Sequence, residues 1–172
     1  MSVVLDAVDF LRRCAGLSMM RQEAGVTVLT SGSKTGRLLV LRSGSVEIVK
    51  DGVQIAKVSA PGAVFGELAV LLDQAHTADV RTLEVSDFYV ANAATLLAHD
   101  SAVPLYVAAI LAQRLDRANQ ALVEIKRQLR AGEPRRVIGK TVEKVEQLLS
   151  PNGDLFNPSY STNPFVPDES TH

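Results

Sequence analysis

The residues of this chain that could do chemistry centre on one short stretch. Gly66–Leu72 is rich in helix-forming residues, yet it lies inside a region of strand-like sequence. A single helical turn there would expose backbone N–H groups at its start, where they can bind an anion. Glu67 also has a purely structural explanation, because an acidic side chain at a helix N-terminus interacts favourably with the helix dipole.

The other reactive side chains form no catalytic or metal-binding pattern. His99 and His172 have no metal-ligand spacing to His76 or to each other. Cys14 is the single cysteine, which excludes a disulfide framework and fits a reducing compartment. Residues 139–141, Gly-Lys-Thr, resemble the end of a P-loop but lack its earlier glycine and strand. We therefore predict that the chain is not an enzyme and holds no metal or cofactor.

Composition predicts a folded, water-soluble protein. The chain has 172 residues, of which 47% are hydrophobic and 22% charged, so it can bury a core. The longest nearly apolar stretch, 102–112, is broken by Pro104 and is shorter than the roughly 20 residues of a membrane span. The N-terminus has no basic segment typical of a signal peptide. We expect a cytoplasmic protein with no membrane partner.

Charge and aromatic content argue against nucleic-acid recognition. The net charge is −1, and the chain has no Trp, five Phe and three Tyr, so an aromatic stacking platform is not expected. Residues 107–146 hold nine basic and five acidic side chains, a net charge of +4. We interpret this segment as a solvated helix face. No pattern of two helices and a turn follows it, so specific DNA binding is not expected.

The strand-like region is preceded by a short helix. Apolar residues at helical spacing predict a helix over residues 3–15 that buries Cys14 as a small hydrophobic side chain. Short β-branched runs then alternate with turn signals such as Asp51-Gly52, which favours a hairpin. They predict a mainly β fold with flanking helices, an antiparallel roll of the jelly-roll kind. The predicted strands are Val26–Thr30, Arg37–Arg42, Ser45–Lys50, Val53–Val58, Ala78–Glu84 and Asp87–Ala91.

A long helix is predicted from Pro104 to Arg130. At about 1.5 Å per residue it would be roughly 40 Å long, and Gly132 and Pro134 end it. Its apolar residues step alternately by three and four positions, which is the heptad seam of a helix pair. We therefore expect a homodimer formed through helix 104–130. The seam consists of Ala108, Leu111, Leu115, Ala118, Leu122, Ile125 and Leu129.

The C-terminal part differs in composition. Residues 141–149 have apolar positions on one face and predict one more short helix. From residue 150 onward the chain is rich in proline and small polar residues, which predicts a disordered tail. We therefore divide the chain into a domain over residues 1–131 and a segment over 132–172 with the short helix and tail.

Two passages of the sequence resemble the cyclic nucleotide-binding domain, the β-roll of catabolite-activator-type regulators and of protein-kinase regulatory subunits. The first is Pro61–Ala69, followed by Ala75–Val80; the second is Leu39–Ile48, a strand, a glycine and a strand. The resemblance covers residues 25–131. It implies a β-roll with a short phosphate-binding cassette helix and a long C-terminal dimerisation helix. The candidate cassette residues are Gly66, Glu67, Leu68, Ala69, His76, Thr77 and Ala78.

One cassette position departs from the family pattern. The resemblance implies that backbone N–H groups and an arginine hold the cyclic phosphate, and that the glutamate, here Glu67, accepts from the ribose 2′-hydroxyl. His76 stands where the family has that arginine. Arginine offers a permanently charged fork for phosphate, whereas a histidine ring is only partly protonated at neutral pH. On the sequence alone, Glu67 has no cation beside it, and we expect it to repel an anion.

The resemblance therefore implies a non-enzymatic regulatory or sensory module with a degenerate cassette, and weak or absent binding of cAMP or cGMP. Two alternatives remain open on the sequence: a genuine cAMP or cGMP receptor domain, and a dimeric interaction scaffold for an unidentified protein partner. Arg81, on the strand after the cassette, is a further candidate for the missing cation. It should face away from the site, because residues 76 and 81 fall on opposite faces of a regular strand.

Overall fold

A computed structural model of the chain describes residues 6–132 and 139–140. The first range folds into two antiparallel sheets and several helices. In chain order the elements are α1 (Ala7–Cys14), β1 (Ser18–Gln22), β2 (Thr27–Leu29), β3 (Arg37–Ser43), β4 (Val46–Lys50), β5 (Val53–Val58), β6 (Val64–Phe65), α2 (Glu67–Leu71), β7 (Asp79–Thr82), β8 (Ser86–Asn92), α3 (Ala93–His99) and α4 (Ala102–Arg130).

The strands form two four-stranded sheets, with the order β1-β8-β3-β6 in one and β2-β7-β4-β5 in the other. Neighbouring strands pair antiparallel throughout. Strands β4 and β5 form the predicted hairpin, whose turn places Asp51 at φ 51° and Gly52 at φ 78°. The predicted antiparallel roll with flanking helices is confirmed.

The six predicted strands are all present, with ends shifted by a few residues, but β1, β6 and α3 were not predicted. Strand β1 contains two methionines and no β-branched residue, and β6 is two residues long, so neither has a clear strand pattern. Helix α1 begins at Ala7, because the Asp6 side chain caps it by accepting from the Asp9 N–H at 2.8 Å. Helix α4 begins at Ala102, since Pro104 is tolerated in a first turn.

Strand β3 separates two apolar cores. Leu39 and Leu41 point into the core between the two sheets, together with Phe65 and Phe88. Leu38 and Val40, the alternate residues, point to the other side, where α1 and α4 cover the sheet. Because both faces of β3 are covered, its sequence is a continuous apolar run rather than an alternating one.

Helix α4 is anchored at its N-terminal end. Val103, Tyr106, Val107 and Ile110 are each at most 3% exposed and pack against the sheet and α1. The Tyr106 ring stacks on Phe10 with centroids 3.9 Å apart, and its hydroxyl donates to the carbonyl of residue 62 at 3.1 Å. These contacts fix where the following turns of α4 lie relative to the roll.

Other predictions on the C-terminal part are not tested. The predicted helix over 141–149 and the tail from residue 150 lie outside the described residues. The division at residues 131 and 132 therefore stays a prediction. Among the described helices, none has both the length and the apolar character to cross a lipid bilayer.

Candidate ligand-binding site

The turn that opens α2 requires glycine. Gly66 is the N-cap of α2 with φ 89°, in the left-handed region that side chains other than glycine rarely adopt. A Cβ atom on Gly66 would lie 2.6 Å from the carbonyl oxygen of Arg37 on β3. The cassette helix therefore lies against the end of β3, and Glu67 enters the interior as the first residue of α2.

The cassette borders a cavity of about 240 Å³ between α2, the β2-β7-β4-β5 sheet and α4. All seven predicted cassette residues line it, so the structure brings residues 66–69 and residues 76–78 together. The lining residues are Leu29, Ile48, Ile55, Ala56, Phe65, Gly66, Glu67, Leu68, Ala69, His76, Thr77, Ala78, Val80 and Arg114.

Glu67 does have a cation beside it, which corrects the expectation from sequence. Its carboxylate is paired with the guanidinium of Arg114 from α4, and Arg114 Nη2 also donates to the Val64 carbonyl at 3.2 Å. The Glu67 side chain is 6% exposed and that of Arg114 is 23% exposed. A buried carboxylate is tolerated when a charged partner compensates it. The repulsion expected between Glu67 and an anion is therefore largely cancelled.

His76 is buried and held from both its backbone and its ring. Its N–H donates to the Ser33 carbonyl, and its own carbonyl accepts from the Gly32 N–H, both at 2.8 Å. Ring atom Nε2 lies 2.9 Å from the Thr35 hydroxyl oxygen and is hydrogen bonded to it. His76 is only 6% exposed, so it is an ordered cavity residue. Thr77, the next residue, is exposed at the cavity edge.

The loop between β2 and β3 thus supports the cassette loop, which is the segment between α2 and β7 that carries His76. Lys34 adds an ion pair, with Nζ 2.6 Å from Asp73 Oδ1 and 3.1 Å from the Asp73 carbonyl oxygen. The hydrogen bond and the charge of Lys34 lower the pKa of Asp73. Together with the Thr35–His76 contact, this pair ties the loop to the segment between α2 and β7.

Arg81 does not replace the missing cassette arginine. Its Nε donates to Glu47 Oε1 at 2.6 Å across the neighbouring strands β7 and β4, and it does not line the cavity. This agrees with the expected direction of its side chain.

The described residues contain no group of three or more His, Cys, Asp or Glu side chains that could hold a metal ion.

Most of the predicted seam lies on a different side of α4 from the face that packs on the roll, but Leu111 also packs against the core beneath the helix. Leu115, Leu122 and Leu129 are 63%, 50% and 59% exposed, respectively. Ala108 and Ala118 are also exposed, whereas Leu111 and Ile125 are half-buried. The seam is therefore present as a largely solvent-facing apolar row on this single chain.

Arg114 is the site residue that sequence reasoning missed. It contacts Glu67 across 47 positions of sequence, so no local spacing connects the two. A signal did exist on α4 itself: Val103, Val107, Ile110 and Arg114 follow helical spacing on one face. An arginine that continues an apolar, roll-facing row indicates a buried charge in need of a partner.

The comparisons with known proteins agree with the fold. Residues 20–98 match the family model of the cyclic nucleotide-binding domain. The chain is 38% identical over 93 residues to the cGMP-dependent protein kinase egl-4 of Caenorhabditis briggsae, a match that covers 47% of this chain and 12% of the kinase. The chain thus spans only about an eighth of the length of that relative.

Two solved structures share the fold. A cyclic nucleotide-binding domain from Methylobacillus flagellatus is 22% identical, with a TM-score of 0.59 over 67% of this chain and 72% of that one. The catabolite activator protein of Thermus thermophilus is 21% identical, with a TM-score of 0.57 over 84% of this chain and 82% of that one. Residues 20–98 thus match the cyclic nucleotide-binding domain family, and the described part of the chain shares the β-roll fold of these two structures.

Proposed function

We propose that this chain is a non-enzymatic regulatory module whose cavity senses a small molecule and binds cyclic nucleotides weakly. The proposal rests on one observation: the two nitrogen-bearing side chains of the cavity already have partners within the chain. His76 stands at the arginine position with Nε2 bonded to Thr35, and Arg114 is paired with Glu67. Within the described lining, these two side chains are the candidates for holding a phosphate.

Neither side chain is well suited to that task. The His76 ring has one further nitrogen, Nδ1, and lacks the planar fork with which arginine holds phosphate bidentately. The Arg114 guanidinium already donates to Glu67 and to the Val64 carbonyl, so its charge is largely compensated before any phosphate arrives. Hydrogen bonds to charged groups contribute about 1.5–3 kcal/mol each, so losing a bidentate pair weakens binding by about two to four decades. We therefore expect dissociation constants of tens of micromolar or worse for cAMP and cGMP.

Isothermal titration calorimetry with cAMP and cGMP at pH 8 tests this proposal. Weak binding of both nucleotides is expected, because the His76 ring lacks the permanently charged, bidentate fork of arginine. His76→Arg should tighten cAMP binding at pH 8 by at least about tenfold. Gln74→Arg is the matched control, since it adds the same charge two residues away, at an exposed position outside the cavity lining.

Submicromolar binding of cAMP to the wild type at pH 8 would contradict the proposal and favour a genuine receptor domain. An equal gain from Gln74→Arg and His76→Arg would show that general electrostatics, not the cassette position, was limiting. If His76→Arg brings no gain, the cavity does not admit the nucleotide, and the interaction-scaffold alternative is favoured.

We also propose that the module acts as a homodimer through the exposed row on α4. Leu115, Leu122 and Leu129 repeat every seven residues, and pairing two such rows would remove them from water. Leu115→Glu with Leu122→Glu should give monomers at micromolar concentration, because unpaired charges are costly in a seam. Val123→Glu is the matched control, since Val123 is 66% exposed and lies off the seam.

Light scattering measures the outcome directly. The wild type and Val123→Glu should have twice the mass of one chain, and the double seam variant the mass of one chain. A wild-type monomer at these concentrations would rule out the dimer.

DNA binding by this chain, if measured, should be independent of sequence and lost steeply with salt, since basic side chains alone would provide it.

A further inference from the structure

The face of α4 that packs on the roll continues beyond the cavity. Val107, Arg114, Ala121 and Gln128 follow one another at seven-residue steps, so they lie in one row along the helix. Val107 is 2% exposed, and Ala121 and Gln128 are each 6% exposed. Burial along this row therefore extends into the half of α4 that carries the exposed seam leucines.

Among the described residues, the two apolar cores of the roll do not include the far end of this row. Ala121 belongs to neither core. Arg114 lines the cavity, and at about 1.5 Å per residue Gln128 lies about 21 Å further along the helix axis. A glutamine side chain on a bare helix is mostly exposed to water, so its burial requires another surface over it. Another part of the molecule therefore covers Ala121 and Gln128.

This cover is intramolecular and lies apart from the seam. Ala121 and Gln128 are buried on the single chain, so a second copy is not needed to hide them. Leu122 and Leu129 each follow a member of the row by one residue, which places them about 100° further around the helix axis. The row and the seam are therefore two separate surfaces of the same half of α4.

Helix α4 ends in a turn that can reverse the direction of the chain. Gly132 adopts φ 68°, and its N–H donates to the Leu129 carbonyl at 3.2 Å, as at a glycine that terminates a helix. Residues 139–140, the next that the structure describes, are helical. The interval of residues 133–138 has a length typical of connections between antiparallel neighbouring helices.

Residues 141–149 have a pattern that matches the row. Their apolar positions fall on one face of the predicted helix. From Val142 to Leu149 that face would be about 10 Å long, which is also the length from Ala121 to Gln128 on α4. The small side chain of Ala121 allows a second helix to approach closely, since the distance between packed helices depends on the side chains at the contact.

The polar groups around the row suit the same occupant. Arg117 and Glu124 flank the row, are half-buried, and each have a polar partner. The Gln128 amide donates to Glu124 Oε1 at 2.7 Å, so its burial does not leave the Nε2 group without an acceptor. Residues 141–149 contain two glutamates and one lysine, and they therefore offer partners of both signs.

We propose that the row of Ala121 and Gln128 is an intramolecular docking site, and that residues 141–149 of the same chain occupy it as a helix antiparallel to α4. The apolar face of this segment covers the row, and the leucine seam beside it stays free for a second copy. The inference does not depend on the proposed function, because it involves neither the cavity nor the seam.

The rate of thiol labelling at a row position tests the proposal on the full chain. Ala121→Cys places a thiol in the row, and the native Cys14 is fully buried. Iodoacetamide should label position 121 at least about tenfold more slowly than it labels Val123→Cys, whose position is 66% exposed. Adding Val145→Asp to Ala121→Cys should speed this labelling by at least about tenfold, because a carboxylate on the apolar face opposes docking.

Gln147→Asp is the matched control for Val145→Asp. It introduces the same side chain into the same segment, about 200° around the predicted helix and thus on its opposite face. It should leave the labelling rate at position 121 unchanged. Labelling of Cys14 should stay slow in every variant, which reports that the roll remains folded.

Three results would overturn the proposal. Labelling of Ala121→Cys as fast as that of Val123→Cys would show that the row has no cover in solution. Slow labelling that Val145→Asp leaves unchanged, or an equal acceleration by Val145→Asp and Gln147→Asp, would show that the apolar face of residues 141–149 is not the cover. A labelling rate that falls as the protein concentration rises would assign the cover to a second copy, since intramolecular docking is independent of concentration.

Discussion

The two halves of α4 are built for different surroundings. From Ala102 to Arg114 the helix buries one face against the sheet and α1, and Arg114 ends this half with its ion pair to Glu67. From Leu115 to Arg130 three leucines at seven-residue spacing are at least half exposed. One continuous helix thus connects the cavity to a row of exposed leucines, whereas Ala121 and Gln128 on another side of the same half are buried.

The comparison shows that apolar content alone does not reveal what a helix packs against. Both halves carry apolar residues at helical spacing, but those of the first half pack on the sheet and α1, whereas the three leucines of the second half are exposed. The first half should therefore contribute to the stability of the single chain. The second half should contribute only when another surface covers it.

The largest contrast is expected from truncating one residue in each half. Tyr106→Ala should lower the free energy of unfolding by about 3–5 kcal/mol, because it removes a fully buried ring that stacks on Phe10. Leu115→Ala should change the unfolding of the monomer by less than about 0.5 kcal/mol, since its side chain is exposed. Urea denaturation, monitored by circular dichroism at concentrations where the chain is monomeric, measures both values.

Equal effects of the two substitutions on the monomer would contradict the division of α4 into a packed and an unpacked half. The seam substitution should instead act through concentration. In Leu115→Ala the unfolding midpoint should depend less on protein concentration than in the wild type, because association stabilises the folded state by mass action.

The sequence predicted the parts of the site whose residues lie close together in the chain. Gly66, Glu67, His76 and Thr77 fall within one turn–helix–loop segment, so their spacing carried the information. Arg114 could not be placed in the same way. Its contact with Glu67 depends on which face of α4 meets the roll, and that choice is made by packing between distant elements.

The same reasoning explains the fold. The hairpin of β4 and β5 has local signals, namely β-branched strands and an Asp-Gly turn, so the sequence was sufficient to predict it. Strand β6 has two residues and owes its existence to pairing with β3 through Leu39 and Val40, so a local pattern cannot identify it. The seam of α4 was recognisable from its heptad spacing, but the roll-facing row beside it was not distinguished, because both rows are apolar.

A buried thiol beneath the first half of α4 offers a second way to compare the halves. Cys14 packs in the same core as Val107 and Ile110, and burial, with a smaller effect of the Asp100 charge, raises its pKa to about 11. The thiolate is the reactive form, so the native thiol should react at least about a hundredfold more slowly at pH 8 than the thiol of the unfolded chain. Iodoacetamide labelling followed by mass spectrometry measures the rate.

Substitutions in the two halves should affect this rate differently. Val107→Ala loosens the core over Cys14 and should speed labelling, since local opening then costs less free energy. Leu122→Ala, in the exposed half, should leave the rate unchanged. Equal acceleration by both variants would mean that the two halves of α4 open together and are not distinct in stability.

The smallest effect is expected at the start of α4, where Asp100 accepts from the Ala102 N–H at 3.0 Å and pairs with Arg13 of α1. The Ala102 hydrogen bond, then that from Arg13, lower the Asp100 pKa below its usual 3.8. Since the folded-state pKa is the lower one, the resulting stability is present above about pH 3.8 and is lost as the pH falls.

Asp100→Asn should therefore be less stable than the wild type at pH 6, and the difference should shrink toward pH 2. Hydrogen exchange at pH 6 should be faster over residues 102–107 in Asp100→Asn but unchanged there in Asp73→Asn. Asp73 lies on the cassette loop, and its pKa is lowered by Lys34 of the loop between β2 and β3. Faster exchange over residues 115–130 in Asp100→Asn would instead show that the anchor stabilises the whole helix, and that the two halves are one cooperative unit.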